Sequence, residues 1–185
     1  MSVGASWGVT EAERGLPFPC DGLCPSPDVA LFRGVPVAAP ARVLFRWLCQ
    51  LRVAPYSYDW LDNGGRRSPP TLTPGLDALA RGQRIMTIFR LVEFEPDRSL
   101  TIVNRTRDGA SQVLGEVWVS YVIGPGDGGQ CRLLAKLLVR YPRTLTGAVL
   151  RRVLPLGDLV MMRRQLLNLK ALAERDAGIA SGGDG

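Results

Sequence analysis

The chain of 185 residues contains no histidine. That absence excludes Ser-His-Asp and Cys-His catalysis, histidine general bases and histidine metal ligands. Acid–base chemistry is left to Asp, Glu, Tyr, Lys, Cys or a bound molecule. Lysine is scarce too: Lys136 and Lys170 are the only two among 23 basic residues. The net charge of +6 permits attraction to anionic partners. An arginine surplus beside many Ala, Gly, Pro and Leu equally fits a GC-rich coding sequence. No groove-reading helix motif or aromatic RNA-binding signature is present, so nucleic acid is not an expected partner. Nowhere do about 18 apolar residues run together, so no spanning helix is expected. No basic n-region precedes an apolar h-region, so no signal peptide is expected.

Cysteine is limited to Cys20, Cys24, Cys49 and Cys131. Cys20 and Cys24 form a lone C-x3-C in a Pro/Gly-rich stretch, with no second pair to complete a zinc site. Cys49 and Cys131 lie in apolar segments and read as buried thiols. A reduced, cytoplasmic chain without metal or other cofactor is the expectation.

What is present is ordinary for a globular protein: 46% hydrophobic and 22% charged residues, enough for one domain with a core of fair size. Residues 1–28 carry Pro17, Pro19, Pro25 and Pro27 and no periodicity, so they read as a disordered or extended leader. Residues 178–185 read as a disordered tail. Between them, 29–177 form the expected domain. Val29–Val37 alternates as a strand, with Pro36 suggesting an edge or a strand end. A helix follows from Pro40, its apolar face formed by Val43, Leu44, Trp47, Leu48 and Leu51. Three strand-like runs come next: Gln83–Phe94, Leu100–Arg105 and Gln112–Ile123. Turn chemistry at Glu95-Pro96-Asp97 and Arg107-Asp108-Gly109 separates them. Cys131–Tyr141 is the last strand. Residues 144–157 look helical but broken by Pro155 and Gly157. Asp158 then reads as the cap of a final helix over 159–177, striped by Leu159, Met162, Leu166, Leu169 and Ala173.

This order resembles the SRPBCC superfamily, the START or helix-grip fold, over Val29–Ala177. The resemblance is carried by the element order and by the run Phe89-Arg-Leu-Val-Glu-Phe-Glu-Pro-Asp-Arg-Ser-Leu100 with its Glu-Pro hairpin. The segments Pro55-Tyr-Ser-Tyr-Asp-Trp60 and Gly157-Asp-Leu-Val-Met-Met-Arg-Arg-Gln-Leu-Leu167 look like an uncharacterised bacterial, polyketide cyclase-like branch. The resemblance implies an α+β fold, a curved antiparallel sheet wrapped around a long C-terminal helix, with a cavity between them. Members carry lipids, hormones or polyketides, and some are aromatases and cyclases. No cyclase motif maps onto this chain residue by residue.

The densest polar and aromatic cluster is the loop from Tyr56 to Ser68. Tyr56, Tyr58 and Trp60 offer stacking surfaces, Asp59 and Asp62 are candidate bases or anchors, and Asn63 lies beside them. Arg66 and Arg67 suit a carboxylate, phosphate or phenolate. The plainer reading is that the aromatics plug a cavity mouth and Asp59 pairs with an arginine. In Gln83–Phe94 the even residues are more apolar than the odd ones. That points Arg90 inward; the opposite parity points Glu93 inward, and a surface arginine is the plain alternative. Val113, Val117, Val119, Tyr121 and Ile123 share an inward parity, leaving Trp118 outward for a partner or for the leader. Met162 is either adaptable pocket wall or plain core. Arg151-Arg152 and Arg163-Arg164 suit transient membrane contact or simply solvated charge.

The functional expectation is a small hydrophobic ligand, polyketide-like or another secondary metabolite, held by a monomer or homodimer. If chemistry follows, it is cofactor-free cyclisation, dehydration or aromatisation, with Tyr58 or Asp59 moving a proton and Arg66 or Arg90 stabilising an oxyanion. The alternatives are a non-catalytic carrier and an interaction domain whose interior is filled by Trp47, Phe89 and Met162.

Overall fold

The computed structural model describes residues 4–62, 64–104, 115–126, 130–143 and 145–182, and for residues 61, 62, 145–156 and 180–182 the backbone alone. The elements are β1 (Ser6–Trp7), α1 (Glu11–Arg14), α2 (Pro19–Leu23), β2 (Val29–Val37), α3 (Ala41–Cys49), a 3-10 turn (Gln50–Arg52) and α4 (Asp59–Asp62). They continue with β3 (Arg84–Ile85), β4 (Phe89–Glu95), β5 (Ser99–Asn104), β6 (Glu116–Pro125), β7 (Cys131–Arg140) and α5 (Leu145–Gly182). The seven strands form one sheet in the order β1-β2-β7-β6-β5-β4-β3. Every pairing is antiparallel except β1 with β2. The long helix closes the inner face, giving the expected helix-grip arrangement.

Period-two alternation sorts the sheet into two faces. Leu31 and Val35 of β2, Leu133 and Leu137 of β7, Val119 of β6, Ile102 of β5 and Leu91 of β4 point inward. There they join Leu44, Trp47 and Leu48 of α3 and Leu166, Leu169 and Ala173 of α5 in the main core. The α5 stripe expected from the sequence is therefore the buried one. Burying it is what orders a helix of this length, since tertiary packing outweighs propensity.

Two features of α5 depart from expectation. The helix runs unbroken through Pro155 and Gly157, and it continues to Gly182, through most of the expected tail. Proline removes one intrahelical bond and crowds the preceding turn; a helix anchored along its C-terminal half by core packing carries that cost. Asp158 is thus a helix-interior residue, not a cap.

The expected leader is also corrected. Residues 6–28 form a folded cover on the outer face. Phe18, Cys20 and Cys24 are buried against Leu134 and Leu138, with Phe32, Trp118 and Val122 alongside. Lys136 lies over the rings of Phe18 and Phe32 at 5.3 and 5.2 Å and pairs with Asp21 at 2.5 Å. Thr10 and Glu13 form a capping box on α1. Pro19 starts α2 rather than breaking it. The leader can lie this close because of a glycine pair. A Cβ at Gly8, whose φ is +67°, would collide with the carbonyl oxygen of Gly34. Trp118 does face outward, and the leader is its cover.

The run Gln83–Phe94 is two strands, not one. Met86, at φ +51°, turns the chain between β3 and β4. A bulge between Leu91 and Glu93 then switches the parity of β4. Phe89 and Leu91 face the core before it, and Phe94 after it.

Candidate functional site

The bulge removes two expected ligands from the interior. Arg90 pairs with Val103, which pairs with the outward Trp118; Arg90 is exposed on the outer face. Glu93 pairs with Thr101, whose hydroxyl meets that of Ser120 beneath the leader, so it too faces outward. A single parity cannot describe β4, which is why neither inward alternative holds and the plain reading of a surface arginine does.

The Tyr56–Ser68 loop is built as a clasp. Both carboxylate oxygens of Asp59, at the start of α4, are engaged by Ser68: Oδ2 accepts from its amide at 2.8 Å and Oδ1 from its hydroxyl at 2.5 Å. Tyr58 is half-buried, Trp60 is 74% exposed, and Arg66 is exposed beyond the helix. Asp62 closes α4 with its side chain outside the described residues, and Asn63 lies outside them altogether. Among the described aromatic and charged residues of the loop, Tyr56 alone is buried. At φ +54° it puts its ring edge-on against Trp47, with centroids 5.9 Å apart. Its hydroxyl donates to the Pro69 carbonyl at 3.1 Å. Burial first, and Asp59 second, push this phenol up to about 12. The loop therefore does not gather Tyr58, Asp59 and Arg90 around one reacting atom.

A different set of polar groups meets under α5. Tyr121 is buried on the inner face and its hydroxyl donates to Oε1 of Gln165 at 2.6 Å, with Sδ of Met162 at 3.9 Å. Nε2 of Gln165 donates onward to the Pro55 carbonyl at 2.6 Å. Three residues further along the helix, Asn168 donates to the Tyr56 carbonyl at 2.8 Å. Tyr56, Tyr121 and Met162 thus do come together, joined through one face of α5. Burial pushes the Tyr121 phenol well up, and nearby Asp158 adds to the effect.

Beside this group lies an ion pair that the sequence reading missed. Arg33 of β2 is fully buried on the inner face. Its Nη2 donates to Oδ2 of Asp158 at 2.9 Å, and its Nη1 to the carbonyls of Ala5 and Phe32 at 3.0 and 2.9 Å. Arg33 pairs across the sheet with Ala135, and Ala135 with Tyr121. The two polar side chains therefore flank one small residue, about 10 Å apart at two strand spacings. Burial pushes the Asp158 carboxyl up to about 6 against the pull of Arg33. It also lowers Arg33, with Asp158 opposing. Both shifts state that desolvation exceeds the attraction within the pair. The signal was available in β2: Arg33 shares its parity with Leu31, Val35 and Val37.

A surface concavity lies elsewhere. A cleft of about 570 Å³ opens where the leader meets the β6–β7 turn, lined by Thr10, Glu13, Pro36, Pro125 and Arg132 among others. Its charges are already satisfied, since Arg132 grips both carboxylate oxygens of Glu13 at 2.7 and 2.9 Å. The polar convergence under α5 is the better candidate site, because chemistry and recognition need polar groups aimed at one place in an apolar setting.

No protein-family model matches the sequence, and no curated protein matches it. Solved structures do. A hypothetical protein of Helicobacter pylori superposes with a TM-score of 0.54 at 16% identity, covering 86% of this chain and 96% of its own. A protein from Arthrobacter aurescens gives 0.51 at 13% identity, covering 79% and 86%. Zhui aromatase/cyclase from Streptomyces sp. R1128 gives 0.49 at 18% identity, covering 79% and 93%. Identities this low speak for shared architecture alone. The first two matches and the sheet closed by a long C-terminal helix give the conclusion that the fold is α+β, a helix-grip arrangement shared with these structures.

Proposed function

We propose that the protein binds a small, mostly apolar molecule between the inner face of the sheet and α5. One observation carries this: buried Arg33, Tyr121 and Gln165, with the mostly buried Asp158 paired to Arg33, form a polar inlay in an otherwise aliphatic and aromatic core. Polar groups of this kind are costly in a core that needs only to be packed, since apolar residues of similar shape are often as stabilising. A few placed polar groups in an apolar enclosure are the usual makeup of a small-molecule site.

The test is native mass spectrometry of the gently purified protein, then titration with N-phenyl-1-naphthylamine, a neutral apolar fluorophore. We expect a co-purifying molecule or saturable fluorophore binding that Met162→Trp weakens by filling the space beside Tyr121. Finding neither, across fluorophore and extraction, would leave a self-filled interaction domain as the answer.

A catalytic version has one observation in its favour: Asp158, brought up to about 6, lies close enough to raise the Tyr121 phenol. A carboxyl titrating near neutrality can give and take protons at a carbonyl-bearing ligand. Cyclisation or dehydration would then run on Asp158 and Tyr121, in place of Tyr58, Asp59 and Arg90.

A further inference from the structure

The inlay has one unused donor. Among the described residues, Nε of Arg33 is buried and has no hydrogen-bond partner. The neighbouring donors are committed. Both Nη atoms of Arg33 are taken, the Tyr121 hydroxyl donates to Gln165, and the Gln165 amide donates to Pro55. A buried N–H left without an acceptor is expensive, and such a group in a native core calls for an occupant.

Charge decides what kind of acceptor fits. Among the described residues, the charged and titratable groups that meet here are Arg33 from β2, Asp158 from α5 and Tyr121 from β6. At pH 7.5 Asp158, with its carboxyl near 6, is ionised and balances Arg33. A carboxylate entering beside this pair would leave an uncompensated negative charge in a desolvated site. A neutral oxygen acceptor would take the Nε–H and leave the site neutral.

Resting on the binding reading above, we infer that the ligand class is neutral: an apolar molecule whose ketone, ester or similar carbonyl oxygen accepts from Nε of Arg33, beside Ala135 and facing α5. Arg33 supplies the polar anchor, with the small Ala135 next to it across the sheet and Tyr121 beyond.

The experiment displaces N-phenyl-1-naphthylamine from the full chain at pH 7.5 with three chain-matched competitors: tridecane, 2-tridecanone and dodecanoate. The ketone is expected to bind roughly ten-fold tighter than the alkane, the worth of one hydrogen bond from a charged donor, and tighter than the acid. Asp158→Asn, which leaves Arg33 unbalanced, should reverse the order so that dodecanoate binds best. Arg33→Met should bring ketone and alkane level. A wild type that binds dodecanoate best, or ketone and alkane equally, overturns the inference while the binding reading stands. Failure of the fluorophore to bind at all overturns both. The wild-type ranking decides the matter even if either variant fails to fold.

Discussion

Asp158→Asn should change how stability depends on pH more than any other single substitution in this chain. Burial lifts the Asp158 carboxyl from the ordinary 3.8 to about 6. A carboxyl whose folded value lies above its unfolded value binds more protons in the folded state between those two values. Stability from this group is therefore fully present below about pH 4 and is lost as pH rises through 6. The interval corresponds to about 3 kcal/mol. Asparagine keeps the shape and an acceptor for Arg33 but cannot titrate. Near pH 4 the wild type and variant should be close in stability. By pH 7.5 the variant should be the more stable by about 3 kcal/mol, or roughly 6–12 °C in Tm for a chain of this size. Glu13 and Glu174, both held below their usual range by hydrogen bonds and cations, bend the curve the other way. They are common to both proteins and cancel in the difference. The assay is urea unfolding followed by tryptophan fluorescence at half-unit pH steps. A flat difference, or one in which the wild type gains on the variant as pH rises, would refute the claim that desolvation outweighs the Arg33 attraction.

Removal of residues 1–27 should expose Phe32, Trp118, Leu134 and Leu138. It should cost roughly 5 kcal/mol, seen as a lower urea midpoint and as self-association in light scattering; an unchanged midpoint would contradict the leader's role as a cover. Asp59→Ala should release Ser68 and cost about 1–2 kcal/mol. Faster cleavage by trypsin at Arg66 or Arg67 is the readout, and equal cleavage rates would show that the clasp does not hold the loop. Arg90→Ala should shift stability by under about 0.5 kcal/mol and leave fluorophore binding untouched. Tyr121→Phe, which strands the Gln165 amide oxygen, should cost about 1–2 kcal/mol and alter that binding; the reverse ranking would put Arg90 back inside.

Much of the architecture was legible because its signals are local and repeated. Val29–Val37 alternates, Leu166, Leu169 and Ala173 step along one helical face, and Glu95-Pro96-Asp97 turns the chain. What failed depended on distant partners. The prolines of the leader break periodicity, yet Phe18 and Cys20 find a buried place on β6 and β7, some 100 residues on: the Cys20 amide donates to the Ser120 hydroxyl at 2.9 Å. Pro36 suggested an edge. β2 is in fact flanked by β1, but β1 pairs only with Phe32 and Arg33 and leaves the Pro36 end open. The site was harder still. Tyr121 and Met162 could be placed by parity and helical stripe. Arg33 broke an apolar parity, and Gln165 sits beside an apolar stripe, but each deviation is weak alone. Pairing Arg33 with Asp158 spans 125 residues, and nothing local announces it.

The Arg33–Asp158 pair also touches the leader through the Ala5 carbonyl, so one guanidinium links the cover, the sheet and the long helix. A role in fixing how α5 docks is a natural reading, because a polar pair in a core penalises other registers more than it favours its own. Docking, however, needs only the two Nη atoms: one sets the leader against β2 and the other sets the helix. It does not need a buried Nε–H without an acceptor, nor Ala135 in place of a larger residue between Arg33 and Tyr121. A pair retained for docking alone would be expected to close around itself. This one keeps a buried Nε–H with no acceptor among the described residues. It is that surplus, more than the presence of charge in the core, that argues for a molecule bound there.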